Sequence, residues 1–232
     1  MITGPIIAEI AALIGDPARA TMVSALLDGR ALTASELAAE ARITAQTASA
    51  HLAKLTEAGV LSVVRRGRHR HFRLASPAVA GMIEGIAAVA LRKRPRYRPL
   101  SRQAHALSAA RICYDHLAGR LSVALTDALV ARNCIVLDDE AAEITRAGAS
   151  FLREFGVALP PRPSPRRRWC RLCLDWTERR PHIAGALGAA ITQRCFDLRW
   201  LERMTHSHAV IVTPAGRRGL RKTFGIDVSM LR

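Results

Sequence analysis

The sequence predicts a mainly α fold with small β wings, an α+β chain in two parts. Three observations carry this. Alanine and leucine dominate while aromatics make up 4% of the 232 residues, a balance that favours helices over sheets. The first ninety residues set helix-start and helix-stop signals in close succession and end in an arginine-rich ribbon pattern. The second half repeats itself block by block.

Half the residues are hydrophobic and the formal net charge is +16. The chain is long enough to bury a core, so a disordered tail is excluded. A folded chain this basic attracts polyanions, nucleic acid first and anionic membrane second. The alternative for charge alone is an arginine-rich proteome, so where the charge sits decides. No basic-then-apolar leader opens the sequence, and no uncharged apolar run reaches the roughly 18 residues of a membrane span. The expectation is a cytoplasmic protein with no membrane partner, its five cysteines reduced.

"GDPARATMVSALLDG" places Pro17 at a first helical position, where its missing N–H costs nothing. Val23, Leu26 and Leu27 form the apolar stripe, and Gly29 ends the helix. In "TASELAAEA" Thr33 is an N-cap with Glu36 as its reciprocal cap. After the turn "RIT", Thr44 caps "AQTASAHLAKLTEAGV", which closes near Gly59. Two short helices across a tight turn read as helix-turn-helix. Near the start of the second helix stand Gln46, Thr47, Ser49 and Ala50, where a recognition helix meets base edges. Thr44, His51 and Lys54 are placed to reach the backbone, while Leu52 and Leu55 face inward.

"LSVVRRGRHRHFRL" then alternates around Gly67, with Leu61–Val64 and Phe72–Leu74 as strands. Arg65, Arg66, Arg68, His69 and Arg70 lie between them, a cationic wing suited to phosphate or a narrow minor groove. A charge run is usually a solvated face. Here a recognition helix precedes it at the right distance, which favours DNA.

Helix, turn, helix and wing, in this order over residues 5 to 90, resemble the ArsR/SmtB-type bacterial repressors. The resemblance implies a homodimer built on Gly4–Ile14 and Pro77–Leu91, a palindromic double-stranded DNA operator, and repression relieved by an effector. Two metal sites of that family are missing. "ELAAEARIT" has no cysteine pair, and "PAVAGMIEGIAAVALRK" offers only Glu84.

The domains expected are 1–92 for DNA binding and dimerisation, a basic linker 93–102, and two winged-helix-like repeats, 103–159 and 166–227. "RICYDH" (Arg111–His116) matches "RLCLDW" (Arg171–Trp176), and "HLAGRLSVALT" matches "HIAGALGAAIT". "ITRAGASFLREFGV" matches "VTPAGRRGLRKTFGI", after a six-residue insertion in the second copy. Each copy reads as a long helix, a short β stretch and a Thr-capped final helix, from Thr145 and Thr213. Two such copies are expected to pack about a local two-fold.

Three readings of the repeats stay open. Cys113, Asp115, His116, Cys170, Cys173, Asp175 and His182 could form a metal or thiol site, with Cys170-x-x-Cys173 as its core and Arg168 and Arg171 favouring thiolate, which would make the chain a thiol- or soft-metal-responsive repressor of arsenite or cadmium type. Cys113 and Cys173 would approach if the copies face each other. Alternatively Arg111–Asp115 and Arg171–Asp175 are i,i+4 pairs on helices, and the cysteine between them is a small hydrophobe. On that reading Cys170, outside the repeated pattern, is the clue to something added. Third, Tyr114, Trp169, Trp176, Phe196 and Trp200 could line an apolar effector pocket. No cofactor is expected to be required, and the identity of any metal or small-molecule effector stays open. No Gly-rich phosphate loop, G-x-S-x-G or H-E-x-x-H occurs, which argues against an enzyme. The hydrogen-bonding residues of the recognition helix argue against an architectural protein that coats DNA by charge alone.

Overall fold

The computed structural model describes residues 4–92, 102–138, 142–158, 169–204 and 207–231. The basic linker lies outside them apart from Arg102, as do "PPRPSPRRR" and Arg168. The chain divides into two compact units, Met1–Ile83 and Glu84–Arg232. The division falls inside one helix rather than in the linker. No helix among the described residues is long and apolar enough to cross a membrane.

The first unit opens with α1 (Gly4–Ile14) and α2 (Pro17–Ser24). Asp16 caps α2 by accepting from Arg19 N at 2.9 Å. A short strand β1 (Leu32–Thr33), unforeseen in the sequence, leads into α3 (Ala34–Ala41). There Thr33 and Glu36 form the expected capping box. Arg42, at φ 54°, closes α3 in the left-handed region. Next come α4 (Ala45–Glu57), β2 (Leu61–Arg66), β3 (His69–Leu74) and α5 (Pro77–Arg92). Gly59 (φ 70°) turns the chain out of α4, and Gly67 (φ 59°) opens a two-residue hairpin turn. The three strands order as β1-β3-β2. Met22, Val23, Leu26, Leu37, Ala48, Leu52 and Leu55 are buried beneath them.

The second unit takes the end of α5, then α6 (Arg102–Ala109). Copy one runs β4 (Arg111–Cys113), β5 (His116–Ala118), α7 (Arg120–Ala131), β6 (Ile135–Leu137), β7 (Ala142–Ile144) and α8 (Arg146–Phe155). Copy two runs β8 (Arg171–Leu174), β9 (Pro181–Ala184), α9 (Gly185–Asp197), β10 (Leu201–Arg203), β11 (Val210–Val212) and α10 (Pro214–Phe224). A 3₁₀ turn, Val228–Leu231, follows. Each pair of strands is an antiparallel ribbon. Thr145 and Thr213 cap α8 and α10, and Gly156 and Gly225 end them in the left-handed region.

The copies exchange matching bonds. Leu117 N donates to Thr192 Oγ1 at 2.8 Å, and its counterpart Ile183 N donates to Thr126 Oγ1 at 3.0 Å. Val210 N donates to Ala110 O at 3.0 Å, and its counterpart Ala142 N donates to Cys170 O at 3.3 Å. Each bond maps onto the other when the copies swap, which defines a local two-fold. Leu121, Leu129, Ile135, Leu152, Leu187 and Leu220 share one core across it.

One expectation fails here. "RICYDH" and "RLCLDW" are ribbon strands, not helices, so neither i,i+4 pair exists. Arg111 instead reaches across the two-fold to Asp175, Nη2 to Oδ2 at 2.8 Å. Three apolar or small residues cannot distinguish a strand from a helical turn by periodicity. Tyr114, at φ 55°, turns the first ribbon, and the inserted residues enlarge the turn of the second.

Candidate functional site

In the first unit, α4 presents Gln46, Thr47, Ser49 and Ala50 to solvent, with Ala48 buried behind them. Thr44 caps the helix through Thr47 N at 3.2 Å. Thr47 Oγ1 lies 2.9 Å from Thr44 Oγ1, and Ser49 Oγ donates to Ala45 O at 2.9 Å. Those hydroxyls are held by the helix itself, while the longer Gln46 side chain is exposed. Lys54 is exposed further along. His51 is half-buried, with Nδ1 3.3 Å from Arg19 Nη1 and Nε2 4.0 Å from Asp16 Oδ1. It is therefore engaged within the fold.

The ribbon carries Arg65, Arg66, Arg68, His69 and Arg70, all exposed. The register pairs Arg65 with Arg70 and Arg66 with His69, so two guanidinium-bearing side chains stand directly opposite on one face. Like charges facing across a ribbon are destabilising. A polyanion laid against it removes that repulsion. Arg70 also lies over the Phe72 ring at 5.7 Å.

In the second unit the ribbon register aligns Cys113 with His116 and Cys173 with His182. The two-fold brings both pairs together. The His116 and His182 rings are 5.2 Å apart. The ligand atoms of Cys113, His116 and Cys173 all lie within 4.8 Å of one another. Glu84, from α5, places Oε2 3.2 Å from Cys173 Sγ, close enough to share a proton. The cluster is buried, Cys173 being partly accessible.

Electrostatics follow from this packing. Burial, reinforced by Cys173, pushes the Glu84 carboxyl up to about 7. The Cys113 thiol donates toward Cys173, and the two imidazoles beside Cys173 add to that pull. Cys173 is thereby drawn far down toward thiolate, while its partner Cys113 is held well above the ordinary thiol range. Burial disfavours a charged His116, but Asp115 and Cys173 outweigh it and raise its pKa to about 9.

The remaining sequence-predicted residues fall into other roles. Cys170 sits in the core, its thiol pushed up to about 12 by burial. It precedes β8 and is not among the ligand atoms that lie within 4.8 Å of one another, which are those of Cys113, His116 and Cys173. Asp175 is fully buried and structural, accepting from Arg111, Gly119 N, Thr177 and Glu178 N. Asp115 Oδ1 lies 3.3 Å from His116 Nδ1 and so stands behind the cluster. Arg171 is exposed. Glu84 was legible only as an acidic residue on an apolar helix.

The aromatic pocket does not form among the described residues. Trp169, Phe196 and Trp200 pack against the core, and Trp176 lies 4.4 Å from the Arg111 guanidinium. A cleft of about 770 Å³ elsewhere in the unit is lined by Ala106, Ala109, Arg120, Val212 and Leu231 among others, and by none of these rings.

A helix-turn-helix domain family matches residues 14–64. An uncharacterised HTH-type transcriptional regulator, YdfF of Bacillus subtilis (strain 168), is 39% identical over 224 residues, 97% of this chain and 99% of that one. Among solved structures, the homodimeric winged helix-turn-helix DNA-binding domain of Mycobacterium bovis Mb0332, a possible ArsR-family regulator, is 21% identical. It covers 41% of this chain and 87% of its own, with a TM-score of 0.37. Mycobacterium tuberculosis Rv0081 is 26% identical over 38% of this chain and 88% of its own, with a TM-score of 0.36. Identity to the Bacillus protein along nearly the whole of both chains shows the family: this chain belongs to the HTH-type transcriptional regulators.

Proposed function

We propose that this regulator is a cytoplasmic, dimeric repressor that binds a palindromic operator and releases it when an effector enters the second unit. The observation that carries the reading is the exposed Gln46–Ala50 face of α4 followed by a cationic ribbon. A short polar face at a capped helix N-terminus suits base edges, and the ribbon suits phosphate. Dimerisation is supported by Ile7 on α1 and by Ile86 and Val89 on α5, each about half exposed or more. Effector gating is supported by α5 itself. The helix starts in the first unit and delivers Glu84 to the thiol–imidazole cluster of the second.

Binding is tested on duplexes selected from random sequence. The full chain should prefer its selected palindrome over random DNA by roughly a thousandfold at physiological salt. Gln46→Ala should flatten that preference at one base position. Arg68→Ala with Arg70→Ala should weaken all duplexes alike and reduce the salt slope by about 1 per lost phosphate contact. Equal affinity of the wild type for all duplexes would contradict sequence-specific binding. Uniform weakening by Gln46→Ala would remove Gln46 as a base reader.

A further inference from the structure

The cluster has features that a packed core does not need. His116 Nε2 and both ring nitrogens of His182 are buried without a hydrogen-bond partner. His116 is 6% and His182 1% exposed. Buried ring nitrogens left without a partner are unfavourable, and both rings stand beside Cys173. If the cysteines were only small hydrophobes, apolar residues would fill the site without that penalty. The shared Cys and His positions, rather than the unshared Cys170, are what the duplication brings face to face.

We propose that Cys113, Cys173, His116 and His182 bind one thiophilic divalent cation of the zinc–cadmium class, as a Cys₂His₂ set formed across the local two-fold. The ligand chemistry is a soft pair of thiolates with two neutral imidazoles. A tetrahedral zinc ion needs sulfurs about 3.8 Å apart and sulfur–nitrogen separations of about 3.5 Å. The ligand atoms of Cys113, His116 and Cys173 all lie within 4.8 Å of one another, and the His182 ring stands beside them, 5.2 Å from that of His116. Asp115 at His116 Nδ1 directs Nε2 to the ion, and Asp175 Oδ2, 4.0 Å from His182 Nδ1, stands in the matching place. A carboxylate behind a ligating histidine fixes its tautomer and raises its basicity. Binding as two thiolates and neutral imidazoles releases the Cys113 and His116 protons to solvent. Glu84 Oε2, 3.2 Å from Cys173 Sγ, puts α5 against the ligand set, so α5 is where the ion is felt.

The gating consequence rests on the regulator reading, but the site does not, and the test separates them. The reduced, metal-stripped full chain is titrated anaerobically with Co²⁺ and then Cd²⁺. One equivalent of Co²⁺ should give the intense visible bands and sulfur charge-transfer absorption of a tetrahedral thiolate site, and Cd²⁺ should displace it. Cys113→Ser and Cys173→Ser should each weaken binding by roughly a hundredfold or more, and Cys170→Ala should leave it intact. His182→Ala should lower the band intensity while binding persists. Should a cysteine variant fail to fold, judged by circular dichroism, His116→Gln carries the same expectation of weakened binding. No tetrahedral spectrum, or one that survives both cysteine variants, overturns the site. Operator binding of the metal-free chain is measured separately. A chain blind to operator that still takes up one Co²⁺ would remove the regulator reading and leave the site.

Discussion

Asp175→Ala is expected to destabilise the second unit by about 3–5 kcal/mol, the cost of leaving a buried partner charge uncompensated. Asp175 is fully buried and Arg111 nearly so. The carboxylate accepts from Arg111 Nη2 at 2.8 Å, Gly119 N at 2.6 Å and Thr177 N at 2.8 Å. It therefore joins the turn of the second ribbon to the strand and helix start of the first copy. Had Asp175 paired with Arg171 on an exposed helix, its loss would cost only about 0.2–0.5 kcal/mol. Urea unfolding of the full chain separates these figures. Asp115→Ala, at a partly exposed pair, should cost less than about 1 kcal/mol. A small effect at Asp175 would mean that the cross-repeat bond does not hold the copies together.

Gly148→Ala and Gly216→Ala are expected to cost about 3 kcal/mol or more each, through overpacking against backbone. A Cβ at Gly148 would lie 1.9 Å from Cys134 O, and one at Gly216 would lie 2.1 Å from Trp200 O. The two positions are equivalent. In each copy the capping threonine N donates to that same carbonyl, Thr145 to Cys134 and Thr213 to Trp200. The helix start is thus clamped onto the preceding strand, and the third helical residue has no room for a side chain. Gly85→Ala, with nothing within 4 Å, should be neutral or stabilise slightly. Thermal melts of the three variants test this, and a Gly148→Ala chain as stable as wild type would contradict the clamp.

Local chemistry was readable in the sequence wherever one residue type has one structural use. The Thr33–Glu36 box and the Thr44, Thr145 and Thr213 caps fall where their chemistry requires, whereas α2 ends at Ser24, short of the expected stop at Gly29. The strand β1 was not readable, because two residues carry no period. The hairpins of "RICYDH" and "RLCLDW" were obscured by an Arg–Asp spacing that also suits a helix. The Arg111–Asp175 bond joins residues 64 apart, and no local pattern encodes it. The cluster was half readable. Its residue types stand out in the sequence, but Cys170, outside the repeated pattern, draws the weight that belongs to the repeated Cys113–His116 and Cys173–His182 pairs. The signal lay in the register: each cysteine is followed, after one turn, by the histidine opposite it on the ribbon.

The most direct measurement is the affinity of the full chain for its selected operator, with and without one equivalent of Cd²⁺, under reducing conditions. The expected result is operator binding weakened by roughly 5- to 150-fold when the ion is present, with Cys173→Ser holding the operator equally well in both. The same affinity with and without the ion, in a chain that has bound it, would contradict control of DNA binding through the Cys113–Cys173 cluster.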